Sequence, residues 1–274
     1  MVKNNESKNF YENLRSPIRY PGSKFQALRI IYNYIKDIDC DEYWEPFLGG
    51  GAFFFAKPIV SLNVLNDIDE DLINFYRIIQ NQISRKKLIE SVSSFKPTKD
   101  NFYSLKSKTY QDDFNKACQY FIINRTCYSG IMKNANWGYD DKRSLQPYKW
   151  GERLEKCGTK LQKANLKNLD FRRFFEESKK DNKSVFSFID PPYYHADQKR
   201  AYIRFFTKRD HEDLSEILKN LGKNIKFLLT YDNCQEVKEL YKWANIHEES
   251  WRYHTANSLK ASRKLGKELL ITNF

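Results

Sequence analysis

The chain has 274 residues, 41% hydrophobic and 16% aromatic, with a formal charge of +12. That length and apolar content support one large domain, or a core with an insertion. No apolar stretch reaches the ~18 residues of a membrane span, and the opening MVKNNESKNF is too polar for a secretory signal. The five cysteines, Cys40, Cys118, Cys127, Cys157 and Cys234, form no Cys-x-x-Cys pair. With four scattered histidines they give no zinc-ligand spacing, so no metal is expected. The odd cysteine count argues against a disulfide framework and for a reducing cytoplasm. The excess of cations reads either as a solvated basic surface or as a polyanion-binding one.

In chain order, residues 1–15 are polar and expected to fray. Ser16 to Lys24 is a loop punctuated by Pro17, Pro21 and Gly22. Leu28, Ile31, Ile35 and Ile38 recur at helical spacing, which predicts a helix over 25–38. Tyr43–Phe47 reads as a strand running into Gly49-Gly50-Gly51, and a helix starts at Ala52–Phe55. Val60–Leu65 is a second strand, ending at Asn66-Asp67, and 70–80 another helix. The texture then changes. Residues 81–165 hold 17 Lys and Arg against 8 Asp and Glu, a net +9. This stretch has a helical pattern at 113–124 and a loop-like run from Ser129 to Lys149. Strands return at Leu166–Leu169, Val185–Ile189, Ile225–Thr230 and Glu268–Thr272, with helices between. Strand–helix alternation on both sides of a basic stretch predicts an α/β sheet over 16–80 and 166–274, with 81–165 inserted.

The strongest motif is Asp190-Pro191-Pro192-Tyr193, at the end of the apolar run Val185–Ile189. The carboxyl edge of a parallel sheet is where ligands bind. An aromatic amine is a poor nucleophile because its lone pair is delocalised into the ring. Hydrogen bonds from its N–H groups to Asp190 and to the Pro191 carbonyl localise that pair, prolines fix the backbone, and Tyr193 stacks on the base. No metal or covalent nucleophile is required. The ordinary reading is a turn after a buried strand, but turning alone rarely needs all three residue types.

The other motifs are weaker singly. Phe47 to Gly51 lies between a strand and a helix, where glycines admit a ligand, and Asp67 ends the next strand, where an acid can hold ribose hydroxyls. The alternative is a tight turn. A hydride-transfer site has the same layout, but Phe54 stands where its third glycine belongs. Lys24 is an exposed loop lysine or a partner for a cofactor carboxylate, with Tyr20 near an adenine. Asp170-Phe171 is a helix cap with a core ring, or an adenine contact. His195 has no evident partner, His211 reads as a helix start, and His247 and His254 as surface residues.

Taken in order, these residues resemble the Dam-like (D12 class) DNA adenine-N6 methyltransferases. The resemblance runs through Arg19–Lys24, Glu45–Gly51, Asn66–Asp69, Asn124–Gly130, Asp190–Tyr193 and Glu268–Asn273. It implies a Rossmann-like methyltransferase sheet with an inserted, mainly helical target-recognition domain. It implies S-adenosylmethionine bound by Tyr20, Pro21, Gly22, Lys24, Phe47, Gly49, Gly51, Asp67 and Asp190, with Asp170 and Phe171 near its adenine. Catalysis falls to Asp190, Pro191, Pro192 and Tyr193, acting on a flipped adenine in a specific double-stranded DNA sequence. Ser23 replaces the family's usual second glycine. The stretch 131–149 does not follow the GATC-reading members, so no target sequence is carried over.

Within the insertion, Arg125, Lys133, Arg143 and Lys149 are the candidates for DNA contact. Trp137, Tyr139 and Tyr148 are candidates to stack or wedge, with core packing as the ordinary reading. A monomer is expected, with a cognate restriction endonuclease acting separately as a possible partner. Methylation of cytosine N4, or of adenine in RNA, needs nearly the same groups; a non-catalytic nucleic-acid binder makes the carboxylate and glycines incidental.

Overall fold

The computed structural model describes residues 14–178, 183–195, 205–252 and 265–274. The expectations for residues 1–13 and for His254 lie outside the described residues. The strands are β1 (Glu42–Glu45), β2 (Leu62–Asn66), β3 (Ala164–Lys167), β4 (Val185–Ile189), β5 (Ile225–Asp232), β6 (Asn245–Arg252) and β7 (Leu265–Thr272). They form one seven-stranded sheet of order β3-β2-β1-β4-β5-β7-β6. β1 pairs in parallel with β2 and β4, and β4 with β5; β7 is antiparallel to both β5 and β6. The order reverses between β1 and β4, which makes the carboxyl ends of those strands the topological switch point of a doubly wound sheet.

Every residue of β4 is buried, as a central parallel strand requires. β6 is the strand the sequence does not announce. It is an edge strand paired with β7 alone, so one face suffices and its residues Asn245–Arg252 show no apolar run. Strand ends also differ from the sequence pattern. β1 stops at Glu45, before Pro46, which has no N–H for the ladder. β3 lies at 164–167 because Leu169 is taken by another bond: its N–H donates to Asn66 Oδ1 at 2.9 Å.

The helices are α1 (Leu28–Ile35), α2 (Ala52–Ala56), α3 (Glu70–Gln80), α4 (Gln82–Ser93), α5 (Lys99–Lys106), α6 (Asp113–Thr126), α7 (Trp150–Leu161), α8 (Phe171–Ser178), α9 (Lys208–Lys219) and α10 (Gln235–Leu240). Side-chain caps set many of their starts. Asp69, Asn81, Thr98 and Asp112 each accept a backbone N–H at the head of α3, α4, α5 and α6. Thr207 and Asp210 form a reciprocal capping box on α9.

Two compact units result. One comprises residues up to Ser23, Gly49–Ile59 and Asp69–Leu166; the other comprises Lys24–Leu48, Val60–Ile68 and Lys167–Phe274. The first is helical: Phe75 of α3 stacks on Phe121 of α6 at 5.6 Å, and Phe121 meets Trp150 of α7 edge-on at 5.4 Å. A smaller cluster joins Phe102, Ile123, Cys127 and Ala135, with Trp137 packed on it. The second unit packs Trp44, Val185, Ile189, Phe227 and Leu229 of the sheet with Phe174, Leu214 and Leu218 of α8 and α9.

Candidate active site

In the second unit the described carboxyl ends of the strands gather an unusual set of polar groups. Asp190 follows β4 directly. Lys24 Nζ donates to its Oδ2 at 2.9 Å and lies 2.9 Å from Oδ1, and Thr230 Oγ1 of β5 donates to Oδ1 at 2.7 Å. Lys24 is only 4% exposed, so the reading of an exposed loop lysine is wrong. A buried ammonium needs a partner, and Asp190 is that partner. The same Nζ sits 4.7 Å from the centre of the Tyr193 ring, within cation–π range.

The loop after Asp190 is held at three more points. The Tyr193 hydroxyl donates to Glu268 of β7, and the amides of Tyr194 and His195 donate to the two carboxylate oxygens of Asp232, each at 2.9 Å. Pro191 is buried and Pro192 half-buried. The backbone that presents Asp190 is therefore fixed by proline rings and by side chains of two neighbouring strands. Burial pushes the Glu268 carboxyl up to about 7, opposed by Lys24 and the Tyr193 hydroxyl and reinforced by Asp190 and Asp232.

A few residues away, Phe47 approaches Phe171 at 5.6 Å and Phe206 at 5.8 Å, and Phe171 approaches Phe206 at 5.5 Å. Asp67 follows β2 directly and is buried. Asn66, beside it, ties three strand ends together: its side-chain amide donates to the carbonyls of Pro46 and Leu169, each at 3.0 Å. Asp170 accepts the Arg172 N–H at 2.9 Å and pairs with its guanidinium at 3.2 Å, which is the capping arrangement. Arg172 also bridges Asp210 and Asp213.

In the first unit, the Tyr20 ring packs on the glycine turn. A Cβ at Gly49 would fall 2.7 Å from Tyr20 Cε1, and Gly49 has φ +47. Close approach and a left-handed backbone both demand glycine there. Tyr76 of α3 fixes the turn by donating to the Gly49 carbonyl at 3.0 Å. Gly22 and Gly51 also have positive φ, while Pro21 is half-buried.

The DNA-contact candidates separate by burial. Arg143 is exposed beside Asp140 at 3.7 Å, Lys149 is exposed with its ammonium 5.4 Å from the Tyr148 ring, and Lys133 is half-buried. Arg125 is buried at the end of α6, and its pKa falls to about 9 through desolvation and the nearby Arg19 and Arg153. A guanidinium enclosed by the helical core has no open path to a phosphate. Tyr139 is buried and donates to Gln146, and Trp137 packs in the core cluster; Tyr148 is 70% exposed. Tyr128, inside the motif Asn124–Gly130, is 50% exposed.

Glu268, Thr230 and Asp232 are the site residues that sequence reasoning missed. Their signal was weak: Glu268 opened the last matching motif, and Asp232 closes a strand at the ligand edge. His195 does have a partner, Glu236 at 3.3 Å, and with Cys234 the three place ligand-type atoms within 4.8 Å of one another. His211 is buried against Tyr231, and burial lowers its pKa to about 4. His247 is half-buried against the Tyr34 ring.

The sequence pattern of one family, described as D12 class N6 adenine-specific DNA methyltransferase, matches residues 20–255. The chain belongs to this family. The chain is 30% identical to the type II methyltransferase M.MjaIII of Methanocaldococcus jannaschii, over 94% of this chain and 98% of that one. It is 28% identical to the type II methyltransferase M.CviBI of Paramecium bursaria Chlorella virus NC1A, over 85% and 88%. It is 26% identical to the DNA adenine methylase of Salmonella typhi, over 93% and 94%. The D12 family's activity is methylation of adenine N6 in DNA, and the doubly wound sheet is its Rossmann-like methyltransferase fold. Membership decides against the cytosine-N4, RNA and non-catalytic readings. Among the described residues no helix is long and apolar enough to cross a membrane.

Proposed function

We propose that the chain methylates N6 of an adenine flipped out of a specific double-stranded DNA sequence, with S-adenosylmethionine as donor. The observation that carries this is the Asp190 carboxylate, fixed at the switch point by Lys24 and Thr230. It is an oriented acceptor for an exocyclic amine. The Pro191 carbonyl is the second acceptor, Pro192 stiffens the turn, and Tyr193 supplies an aromatic surface. Desolvation of a flipped base by such a pocket strengthens both hydrogen bonds.

The donor set in the second unit fits S-adenosylmethionine. Asp67 suits ribose hydroxyls, the rings of Phe47 and Phe171 suit adenine, and Lys24 suits a carboxylate. When bound, that cofactor supplies an electrophilic methyl group on a sulfonium. Tyr20, Pro21, Gly22, Gly49 and Gly51 are assigned to it by motif alone, and Asp170 acts by capping α8 beside Phe171. Asp67→Ala is expected to weaken S-adenosylmethionine binding about 10- to 100-fold, the worth of a hydrogen bond to a charged group. Titration calorimetry checks this, and an unchanged Kd refutes the assignment.

The segment 81–165 is proposed to read the target, with Lys133, Arg143 and Lys149 on phosphates and Tyr128 and Tyr148 as exposed aromatic surfaces. Affinity for duplex DNA should then fall with salt, with a log–log slope of about −3 for three phosphate contacts. A slope near zero in fluorescence anisotropy excludes that role. We further infer a cytoplasmic monomer, with a restriction endonuclease as a separate partner. Single-molecule sequencing of DNA from cells expressing the chain tests the main reading: N6-methyladenine in one sequence context supports it, and unmodified DNA overturns it.

A further inference from the structure

Methylating an amine releases a proton. The N6–C bond forms as the S–C bond breaks and its electron pair passes to sulfur, and one N6 proton must leave. Asp190 is the adjacent base. Once base and cofactor cover the site, water has little access to it, so an internal acceptor is needed for rapid clearance.

The structure lines up a path within the second unit. The Thr230 hydroxyl donates to Asp190 Oδ1 at 2.7 Å, its oxygen faces the Tyr193 hydroxyl, and the Tyr193 hydroxyl donates to Glu268. Glu268 is 1% exposed, and its second oxygen, Oε1, has no hydrogen-bond partner among the described residues. A buried carboxyl costs stability and persists where it has work to do.

We propose that Glu268 is the terminal proton acceptor of methyl transfer, reached from Asp190 through the hydroxyls of Thr230 and Tyr193. The proton passes from N6 to Asp190. Asp190 then donates to Thr230, whose own O–H turns from Asp190 toward Tyr193 and gives up its proton there, and Tyr193 donates to Glu268. Each hydroxyl gives one proton and receives one, so the net change is Asp190 restored to carboxylate and Glu268 made neutral. Glu268 acts through Tyr193 and does not touch the base. The proposal rests on the reading of Asp190 given above.

The charged and titratable groups facing Glu268 are Lys24, Asp190, Tyr193, Asp232 on β5 and, opposite it on β6, Glu249, whose carboxylate takes the Tyr34 hydroxyl. The carboxyl titrates near neutrality, so its accepting form grows as pH rises.

The test is single-turnover methyl transfer at saturating DNA and S-adenosylmethionine from pH 5.5 to 8.5. The native rate is expected to rise about tenfold per pH unit below ~7 and to level above it. Glu268→Gln keeps an acceptor for the Tyr193 hydroxyl but no proton sink, and should be slower with that limb lost. Thr230→Val cuts the path and should lose the limb too, whereas Thr230→Ser restores it. Infrared titration of the unliganded protein gives an independent reading: a buried carboxylic-acid band that titrates near pH 7 and is missing in Glu268→Gln. Native rates and pH profiles in both Glu268→Gln and Thr230→Val, or that band persisting in Glu268→Gln, overturn the relay. If Asp190→Ala stays active, the underlying reading fails as well; if it is dead while the other two are native, only the relay fails.

Discussion

Asp190→Ala is expected to abolish methyl transfer, with a rate loss of at least about 10³-fold, while duplex DNA binding persists. The magnitude follows from what is removed. A preorganised acceptor aimed at developing charge contributes about 10²–10³ in rate by itself, and this carboxylate is also the first base for the departing N6 proton. Its preorganisation is visible: Lys24 holds both oxygens at 2.9 Å and Thr230 holds one at 2.7 Å. The substitution also strands the buried Lys24 ammonium, which costs about 3 kcal/mol of stability. Circular dichroism and DNA anisotropy on the variant therefore accompany the assay. Full methylation by a folded Asp190→Ala protein sinks the mechanism. Asp190→Asn, with the same shape but no charge, should be nearly as inactive.

A second large stability effect is expected at Arg85, in the first unit. Arg85→Met should lower the unfolding free energy by about 3 kcal/mol, the cost of leaving two enclosed helix-end carbonyls unpaired. Arg85 is 2% exposed. Its guanidinium donates to the Ile79 carbonyl at 2.8 Å and the Gln80 carbonyl at 3.3 Å, and makes two bonds to Glu155 of α7. It thus satisfies the orphan carbonyls at the end of α3 and links α4 to α7. Methionine fills most of the volume but leaves those carbonyls unpaired. Gly158 belongs to the same device, since a Cβ there would meet Arg85 Cδ and the Ile79 carbonyl, each at 2.3 Å. Urea denaturation followed by tryptophan fluorescence measures the change, and a loss below about 1 kcal/mol refutes this account.

Arg85 also shows where reading charge from sequence goes wrong. Residues 81–165 carry a net +9, yet Arg85, Arg125 and Lys160 are buried. Lys160 donates to the carbonyls of Phe55 and Lys57. A lysine or arginine with a long apolar stem serves equally as a helix-end cap, and composition cannot tell that use from phosphate binding. The helices α4 and α5 were hard to read for a related reason: each buries one narrow stripe, and the polar faces dilute the periodicity.

The sheet was legible where strands are central. Val185–Ile189 and Phe227–Thr230 are buried on both faces, so an apolar run is forced on them. β6 was not, because an edge strand with one covered face can be largely polar. The Asp190–Tyr193 motif was legible because its chemistry needs those residue types adjacent in the chain.

Sequence by itself determined the parts whose chemistry is local: the carboxylate with its stiff prolines at a strand end, the glycine turn between strand and helix, and membership in the D12 family through ordered motifs. Only the tertiary structure decided which distant groups complete them. Lys24 and Asp190 are 166 positions apart, and Tyr193 and Glu268 are 75 apart. Strand order, not chain order, makes them neighbours. A buried charge is tolerated only where the fold delivers its partner, and that delivery is a property of the sheet, invisible in any one segment.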